Sequence, residues 1–434
     1  MIQDQQGYSA REYQDVLDYL YNSLPMFQRV GDSAYKKDLS NTIRLCDALG
    51  NPEHKFKSVH IAGTNGKGSS SHYLAAILQS AGYKTGLYTS PHLKSFTERI
   101  RLDGREVTPA FVIEFVRKHK ALIEEVCPSF FEITVAMAFT YFAEQEVDIA
   151  VIEVGMGGRL DSTNVILPEV SLITNISYDH QQWLGNSLPE IASEKAGIIK
   201  DHIPVVITEY QDEVAEVFRK KALQHESQII FAGEQYSVQL SEEGYRLKMN
   251  DGKVLFFKDE LLPGYQLKNI PGVLAVCDIL NERGFNIPEK AVITGLEQMK
   301  SLTGLKGRWQ QLGSKPDVFC DVGHNVSGIA YLLNLIGERD YQQLYFVWGM
   351  VRDKDVKPAL SLLPTSASYF FCEANIPRAM PATELREKAL ELGLKGESIA
   401  DVNDALQAAL KIAGKDDLII VGGSNFVVAE LKNL

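Results

Sequence analysis

Several protein classes are excluded by what this chain lacks. No apolar run approaches the ~20 residues that a membrane-spanning helix requires. The segment Met1 to Ala10 is polar, without the apolar stretch of a secretion signal. Neither a membrane partner nor an exported destination is expected. Positive charge is in deficit: 44 Lys and Arg stand against 56 Asp and Glu, a net charge of −12. That balance argues against a nucleic-acid partner. Cysteine is sparse and odd in number, and Cys46, Cys127, Cys277, Cys320 and Cys372 never fall at metal-ligand spacing. Reduced, mostly buried thiols in a cytoplasmic protein are the expectation. Internal repeats and low-complexity tracts are also missing.

What remains is an ordinary globular composition, 45% hydrophobic and 23% charged, over 434 residues. That length exceeds a single core, so two domains are expected. Residues 11–50 read as two helices, with Pro25 to Lys37 between them as a loop carrying Arg29, Lys36 and Lys37. Strand patterns at 59–61, 84–89, 148–154, 170–176 and 203–208 alternate with helical patterns at 71–81, 109–126, 132–145 and 187–200. Asp148 to Val154 is almost continuously apolar, as a buried parallel strand should be. Residues 228–262 alternate in short polar segments and suggest a small antiparallel addition. After Ser301 to Gly307, which reads as a linker, strands at 318–322, 344–348, 369–373 and 418–421 alternate with helices near 326–336, 383–392 and 402–413. The expected fold class is α/β. A first domain, 1–301, has a mostly parallel sheet, and a smaller Rossmann-like α/β domain covers 302–434.

The chemistry starts at Ser58 to Ser70. An apolar run, Val59 to Ile61, enters Gly63-Thr64-Asn65-Gly66-Lys67-Gly68-Ser69, and a helical pattern follows at once. Strand, glycine loop and helix together form the context in which a phosphate-binding loop has meaning. Backbone N–H groups and the helix N-terminus attract an anion, Lys67 adds a full charge, and Ser69 is placed beside a magnesium ion. The spacing departs from the usual pattern, because Gly63 lies three residues before Gly66 and Gly68 separates Lys67 from Ser69.

Further polar stretches fall just past strand ends, where a parallel sheet presents its ligands: Thr89-Ser90-Pro91, Glu153 to Asn164, Asp179-His180, Lys195-Ala196-Gly197 and Asp321 to Asn325. Ser90, Glu153 and His180 offer a hydroxyl, a carboxylate and an imidazole. Each alone has a structural explanation as a cap or a surface group. Their joint occurrence beside a phosphate loop points to a metal-assisted nucleotide site.

The phosphate loop is followed in order by Thr89-Ser90-Pro91-His92, Glu153-Val154-Gly155-Met156-Gly157-Gly158-Arg159-Leu160-Asp161, Asp179-His180-Gln181, Glu194-Lys195-Ala196-Gly197-Ile198 and Asp321-Val322-Gly323-His324-Asn325. From about residue 40 onward the chain resembles the folylpolyglutamate synthase/dihydrofolate synthase family of Mur-ligase-like ATP-dependent amide ligases. The loop's unusual spacing is this family's pattern. The resemblance implies glutamate addition to a folate or dihydropteroate carboxylate through an acyl phosphate, releasing ADP and phosphate. It implies ATP, two Mg²⁺ ions and a monovalent cation as cofactors, and a monomer.

Residue by residue, the resemblance implies that Ser90, Glu153 and His180 hold magnesium. Lys195 matches a lysine that is carbamylated in relatives and helps hold a second metal; as a plain residue it would be a helix-surface lysine. Asn269, Arg308 and Asp321 match nucleotide-contacting positions. Leu160, His324 and Asn325 match substrate positions, the last two facing an interdomain cleft where glutamate binds. Phe130, Phe131 and Glu132 match the stretch that contacts the pterin, although Phe131, Val135 and Phe139 also fall at the helical spacing of core residues. A phosphotransferase or nucleotide hydrolase would leave Asp321 to Asn325 without a role. A non-catalytic nucleotide binder would not need every metal position. A peptidoglycan-type ligase remains the alternative within the family.

Overall fold

The computed structural model describes residues 8–25, 38–259, 264–352 and 356–434. The expected loop with Arg29, Lys36 and Lys37 lies outside the described residues. The chain divides into two units, Met1–Glu260 with Gln266–Gly304, and Leu261–Tyr265 with Leu305–Leu434.

The first unit is built on eight strands: β1 (Lys57–Ala62), β2 (Thr85–Tyr88), β3 (Ile100–Leu102), β4 (Arg105–Glu106), β5 (Ile149–Glu153), β6 (Val170–Ile173), β7 (Val205–Ile207) and β8 (Ile229–Phe231). Their order in the sheet is β4-β3-β2-β5-β1-β6-β7-β8. The six strands from β2 to β8 in that order are parallel, and β3 and β4 continue the sheet antiparallel. β1 and β5 pair centrally, Lys57 opposite Ile149 and Ile61 opposite Glu153. Every residue of β5, and all of β1 except Lys57, is buried. An apolar run covered on both faces satisfies its backbone between two hydrogen-bonded neighbours, and these two sequences take the middle. β9 (Ser237–Ser241), β10 (Gly244–Lys248) and β11 (Val254–Phe257) form a separate antiparallel meander. Of the segment read as an antiparallel addition, Ile229–Phe231 instead extends the parallel sheet.

The Lys67–Ser80 helix after β1 is buried from Ser69 to Leu78. It lies against the Glu289–Glu297 helix so closely that a Cβ on Gly295 would fall 2.5 Å from the Ile77 side chain. His72 Nδ1 and Thr303 Oγ1 are 2.8 Å apart, and Tyr73 donates to Gln266 Oε1 at 2.6 Å. These buried contacts anchor the phosphate-loop helix to chain that is distant in sequence. They also correct the linker: Ser301, Leu302 and Thr303 belong to the Met299–Thr303 helix. Thr303 is buried and donates to Met299 O at 2.6 Å, and the unit ends at Gly304, not at 301.

The second unit carries β12 (Gln310–Gly313), β13 (Asp317–Cys320), β14 (Leu344–Trp348), β15 (Ser368–Phe371), β16 (Gly396–Ser398) and β17 (Leu418–Gly422), ordered β12-β13-β17-β14-β15-β16. All pairs are parallel except β12 with β13. The core of this unit gathers Phe319, Phe346, Trp348, Tyr369 and Ile420 with Ile329 and Leu332 from the Val326–Gly337 helix. Cys46, Cys277, Cys320 and Cys372 are buried free thiols, and Cys127 is exposed. Among the described residues no helix is long and apolar enough to cross a membrane.

Candidate active site

Four neighbouring parallel strands, β2-β5-β1-β6, deliver their C-terminal ends to one edge of the first sheet. Ser90 follows β2, Glu153 closes β5, the glycine loop follows β1, and Thr174 to His180 follow β6. The topology of parallel crossovers places ligands at this edge.

The loop is held open by its neighbours. Gly66 stands at φ 87° and caps the Lys67–Ser80 helix without a side-chain bond, at the end where the helix dipole attracts an anion. A Cβ at Gly66 would lie 2.2 Å from Asn269 Oδ1, so Asn269 seats directly on the loop. The N–H of Thr64 donates to Asn175 O at 2.8 Å and that of Asn65 to Asn175 Oδ1 at 3.1 Å. Thr64 Oγ1 donates to Ser177 O at 3.2 Å, and Thr174 Oγ1 to Asn65 O at 2.6 Å. Sequence reasoning missed Thr174, Asn175 and Ser177. Their signal was a run of small polar side chains directly after a buried strand.

Lys67 Nζ donates to Gly63 O at 3.0 Å and to Thr64 O at 3.1 Å. Lys195 Nζ, at the end of the Leu188–Lys195 helix, donates to the same Gly63 O at 2.9 Å. Two cationic side chains therefore converge on one carbonyl oxygen. Lys195 is 4% exposed, which rules out a helix-surface lysine. Burial pushes its amine down to about 7, helped by repulsion from Lys67 and opposed by Asp179 and Asp161.

Glu153 is buried and accepts from Ser90 N at 3.0 Å, so the ends of β2 and β5 meet. His180 takes a left-handed conformation, φ 52°, and its ring lies 3.9 Å from Asp179. Hydroxyl and carboxylate oxygens with one imidazole suit a hard divalent cation. An ammonium on Lys195 does not; only as a carbamate would that side chain offer oxygen. Among the described residues no three His, Cys, Asp or Glu side chains form a metal cluster, and the candidate set draws only Glu153 and His180 from those types.

The aromatic stretch divides. Phe130 is buried among Tyr21, at 5.4 Å, and Phe96, at 5.9 Å, as a core residue. Glu132 is also buried; it accepts from Ser129 N at 2.5 Å in a capping box and from Asn41 Nδ2 at 3.2 Å. Phe131 is half-buried, and its ring lies on Gly155, where a Cβ would come within 2.4 Å. Half-buried Leu160 follows in the same loop, which Asp161 secures by accepting from Met156 N at 2.8 Å.

In the second unit Asp321 is buried and accepts from Tyr265 Oη at 2.9 Å, Trp309 N at 2.8 Å and Gly323 N at 2.8 Å. Half-buried Arg308 directly precedes Trp309, whose N–H that carboxylate holds. His324 Nδ1 lies 3.0 Å from Val322 O, and Asn325 caps the Val326–Gly337 helix by accepting from Gly328 N at 2.8 Å.

Known proteins resemble this chain over most of its length. Residues 61–277 match the Mur ligase middle domain, and 307–425 match the Mur ligase glutamate ligase domain. The dihydrofolate synthase/folylpolyglutamate synthase of Bacillus subtilis (strain 168) is 31% identical, over 97% of this chain and 98% of its own length. The structure of E. coli FolC in complex with DHPP and ADP is similar with a TM-score of 0.84 at 28% identity, covering 96% of both chains. A bifunctional folylpolyglutamate synthase/dihydrofolate synthase with Mn, AMPPNP and L-glutamate bound is similar with a TM-score of 0.82 at 28% identity, again over 96% of both. The chain belongs to the Mur ligase family, in its folylpolyglutamate synthase/dihydrofolate synthase branch.

Proposed function

We propose that this protein is an ADP-forming ligase that joins L-glutamate to the carboxylate of folate or dihydropteroate. The observation that carries the reading is the gathering of the glycine loop with Lys67, Ser90 and Glu153 at the ends of adjacent parallel strands, with Lys195 reaching Gly63 O from the end of the Leu188–Lys195 helix. Relatives along the whole chain carry the same activity in their names.

The acid substrate and ATP are both anions, so their approach must be screened. Lys67 and the N-terminal end of the Lys67–Ser80 helix receive the phosphates and stabilise charge on the transferring group. Ser90, Glu153 and His180 would hold a magnesium ion, which when bound adds further screening of the triphosphate. Lys195 as a carbamate would serve a second ion, and a monovalent cation completes the set implied by the family. A substrate carboxylate oxygen attacks the γ-phosphorus and ADP leaves. The glutamate amino group then attacks the acyl carbon, losing a proton as phosphate departs. Phe131 and Leu160 provide the apolar wall for the acid substrate. Asn269, Arg308 and Asp321 are assigned to ATP, and His324 and Asn325 to glutamate. The enzyme acts as a cytoplasmic monomer.

ADP release should require dihydropteroate or tetrahydrofolate together with glutamate. Equal release from ATP alone would indicate a hydrolase, and dependence on a nucleotide-linked sugar peptide would indicate a peptidoglycan ligase.

The metal assignment has its own test. Loss of a direct ligand should cost at least as much as loss of an outer-shell partner, ~10–100-fold, so Glu153→Gln should raise the Mg²⁺ needed for half-maximal turnover at least ~10-fold. His180→Ala should act in the same direction. Unchanged Mg²⁺ titrations in both variants would remove these residues from the metal site.

A further inference from the structure

One buried cation beside this site takes no part in the reaction above. Arg99 ends the Phe96–Arg99 turn between β2 and β3 and is 2% exposed. A guanidinium remains charged at any physiological pH, and burying it is costly unless its donors are used. Its carbon lies 5.2 Å from the centre of the Phe130 ring. Burial disfavours its charge, and the neighbouring Tyr88, Tyr21 and Glu153 favour it.

Arg99 holds the chain after β2 at two points. Its carbonyl accepts from Thr89 N at 3.0 Å, and its Nε donates to His92 Nδ1 at 2.7 Å. Arginine can only donate, so Nδ1 of His92 must be the acceptor and the ring proton sits on Nε2. The neighbouring Glu98 extends the grip, accepting from Leu93 N at 2.8 Å and Lys94 N at 2.9 Å. Between the two points stands Ser90, whose N–H donates to Glu153 Oε2 at 3.0 Å. The clamp therefore encloses the residue that joins the ends of β2 and β5.

We propose that Arg99 is a positioning residue of the ligase: through Thr89 and His92 it fixes the Ser90 turn, and so the Ser90–Glu153 pair that receives the divalent cation. This rests on the assignment of Ser90 and Glu153 to the metal. Arg99 acts through His92 and the backbone of Thr89.

Mn²⁺ binding in the presence of ADP, followed by electron paramagnetic resonance, tests the clamp without turnover. His92→Leu removes the acceptor, and His92→Gln retains one that Arg99 can reach. Arg99→Met removes the donor while keeping an apolar stem in the buried site. His92→Leu and Arg99→Met should weaken Mn²⁺ binding ~10-fold, the scale for losing an outer-shell partner, and His92→Gln should restore most of the loss. In turnover assays the Michaelis constant for Mg²⁺ should rise and that for glutamate should not. Should Arg99→Met fail to fold, the His92 pair decides. Wild-type Mn²⁺ affinity in His92→Leu overturns the proposal, as does a parallel rise of the Mg²⁺ and glutamate constants. Glu153→Gln separates the two levels. If it leaves Mn²⁺ binding intact, the metal assignment fails and the clamp with it; if it weakens binding while His92→Leu does not, only the clamp fails.

Discussion

Lys67→Ala is expected to lower turnover by at least ~10²-fold, the scale for removing one donor that stabilises transition-state charge, in a protein that folds normally. Lys67 Nζ rests on the carbonyls of Gly63, at 3.0 Å, and Thr64, at 3.1 Å. It is half-buried, so water can satisfy both carbonyls once the side chain is cut back. No core contact is lost with it, because the buried face of the Lys67–Ser80 helix begins at Ser69. What disappears is the charge meant for phosphate, placed where the helix N-terminus supplies only a partial one. The variant should retain the wild-type melting transition while ADP release and amide formation fall together. A second consequence concerns Lys195. Repulsion from Lys67 is one of the causes holding the Lys195 amine low, so its removal should raise that amine's affinity for a proton. A folded Lys67→Ala enzyme turning over at near the wild-type rate would exclude this lysine from phosphoryl transfer.

How much of this was legible depended on where each residue's structure originates. β1, β5 and β14 were readable because an unbroken apolar stretch has few ways to bury both faces. Arg105–Glu106 and Gly396–Ser398 were not: these short, largely polar edge strands owe their pairing to a neighbour already in place. Ile270–Glu282 also escaped the reading, since a helix buried on nearly all sides has weak periodicity. At the site, residues just past strand ends could be named from the strands alone. Roles could not be separated as easily. Phe130 and Phe131 are adjacent aromatics, and only packing shows one within the core and the other against Gly155. Glu132 also closes a capping box with Ser129, a local structural role that competes with a binding role and that sequence reasoning missed. The Arg99–His92 bond joins two residues outside any shared element, so no periodicity announces it.

The remaining prediction concerns Lys195, where the sequence pattern and the geometry press in the same direction. Its Nζ shares Gly63 O with that of Lys67, at 2.9 Å and 3.0 Å. Two ammonium groups on one buried oxygen repel each other in a medium that screens poorly. Burial and that repulsion bring the Lys195 amine down to about 7, so a large neutral fraction exists near neutral pH. A neutral amine combines with carbon dioxide, forming an N–C bond and releasing one proton, and the product is an anionic carbamate. The like-charged pair then becomes an opposite-charged one, and the new oxygens suit a divalent cation. Asp179 and Asp161, which favour the ammonium, oppose this step. The carbamate should therefore accumulate only when a metal ion is bound to balance the three anions. Lys195→Ala is expected to lower turnover by at least ~10²-fold, again the scale of one lost charge-stabilising group. A short carboxylic acid added to that variant should restore part of the activity by standing in for the carbamate. Wild-type enzyme assayed in buffer freed of carbon dioxide should slow and recover on adding bicarbonate, whereas Lys195→Ala should respond to neither. Electron density for crystals with metal bound gives the direct answer, since acid treatment strips the carbamate before mass measurement. An ordered, bare Lys195 amine beside bound metal, or full turnover in Lys195→Ala, would reject the carbamate.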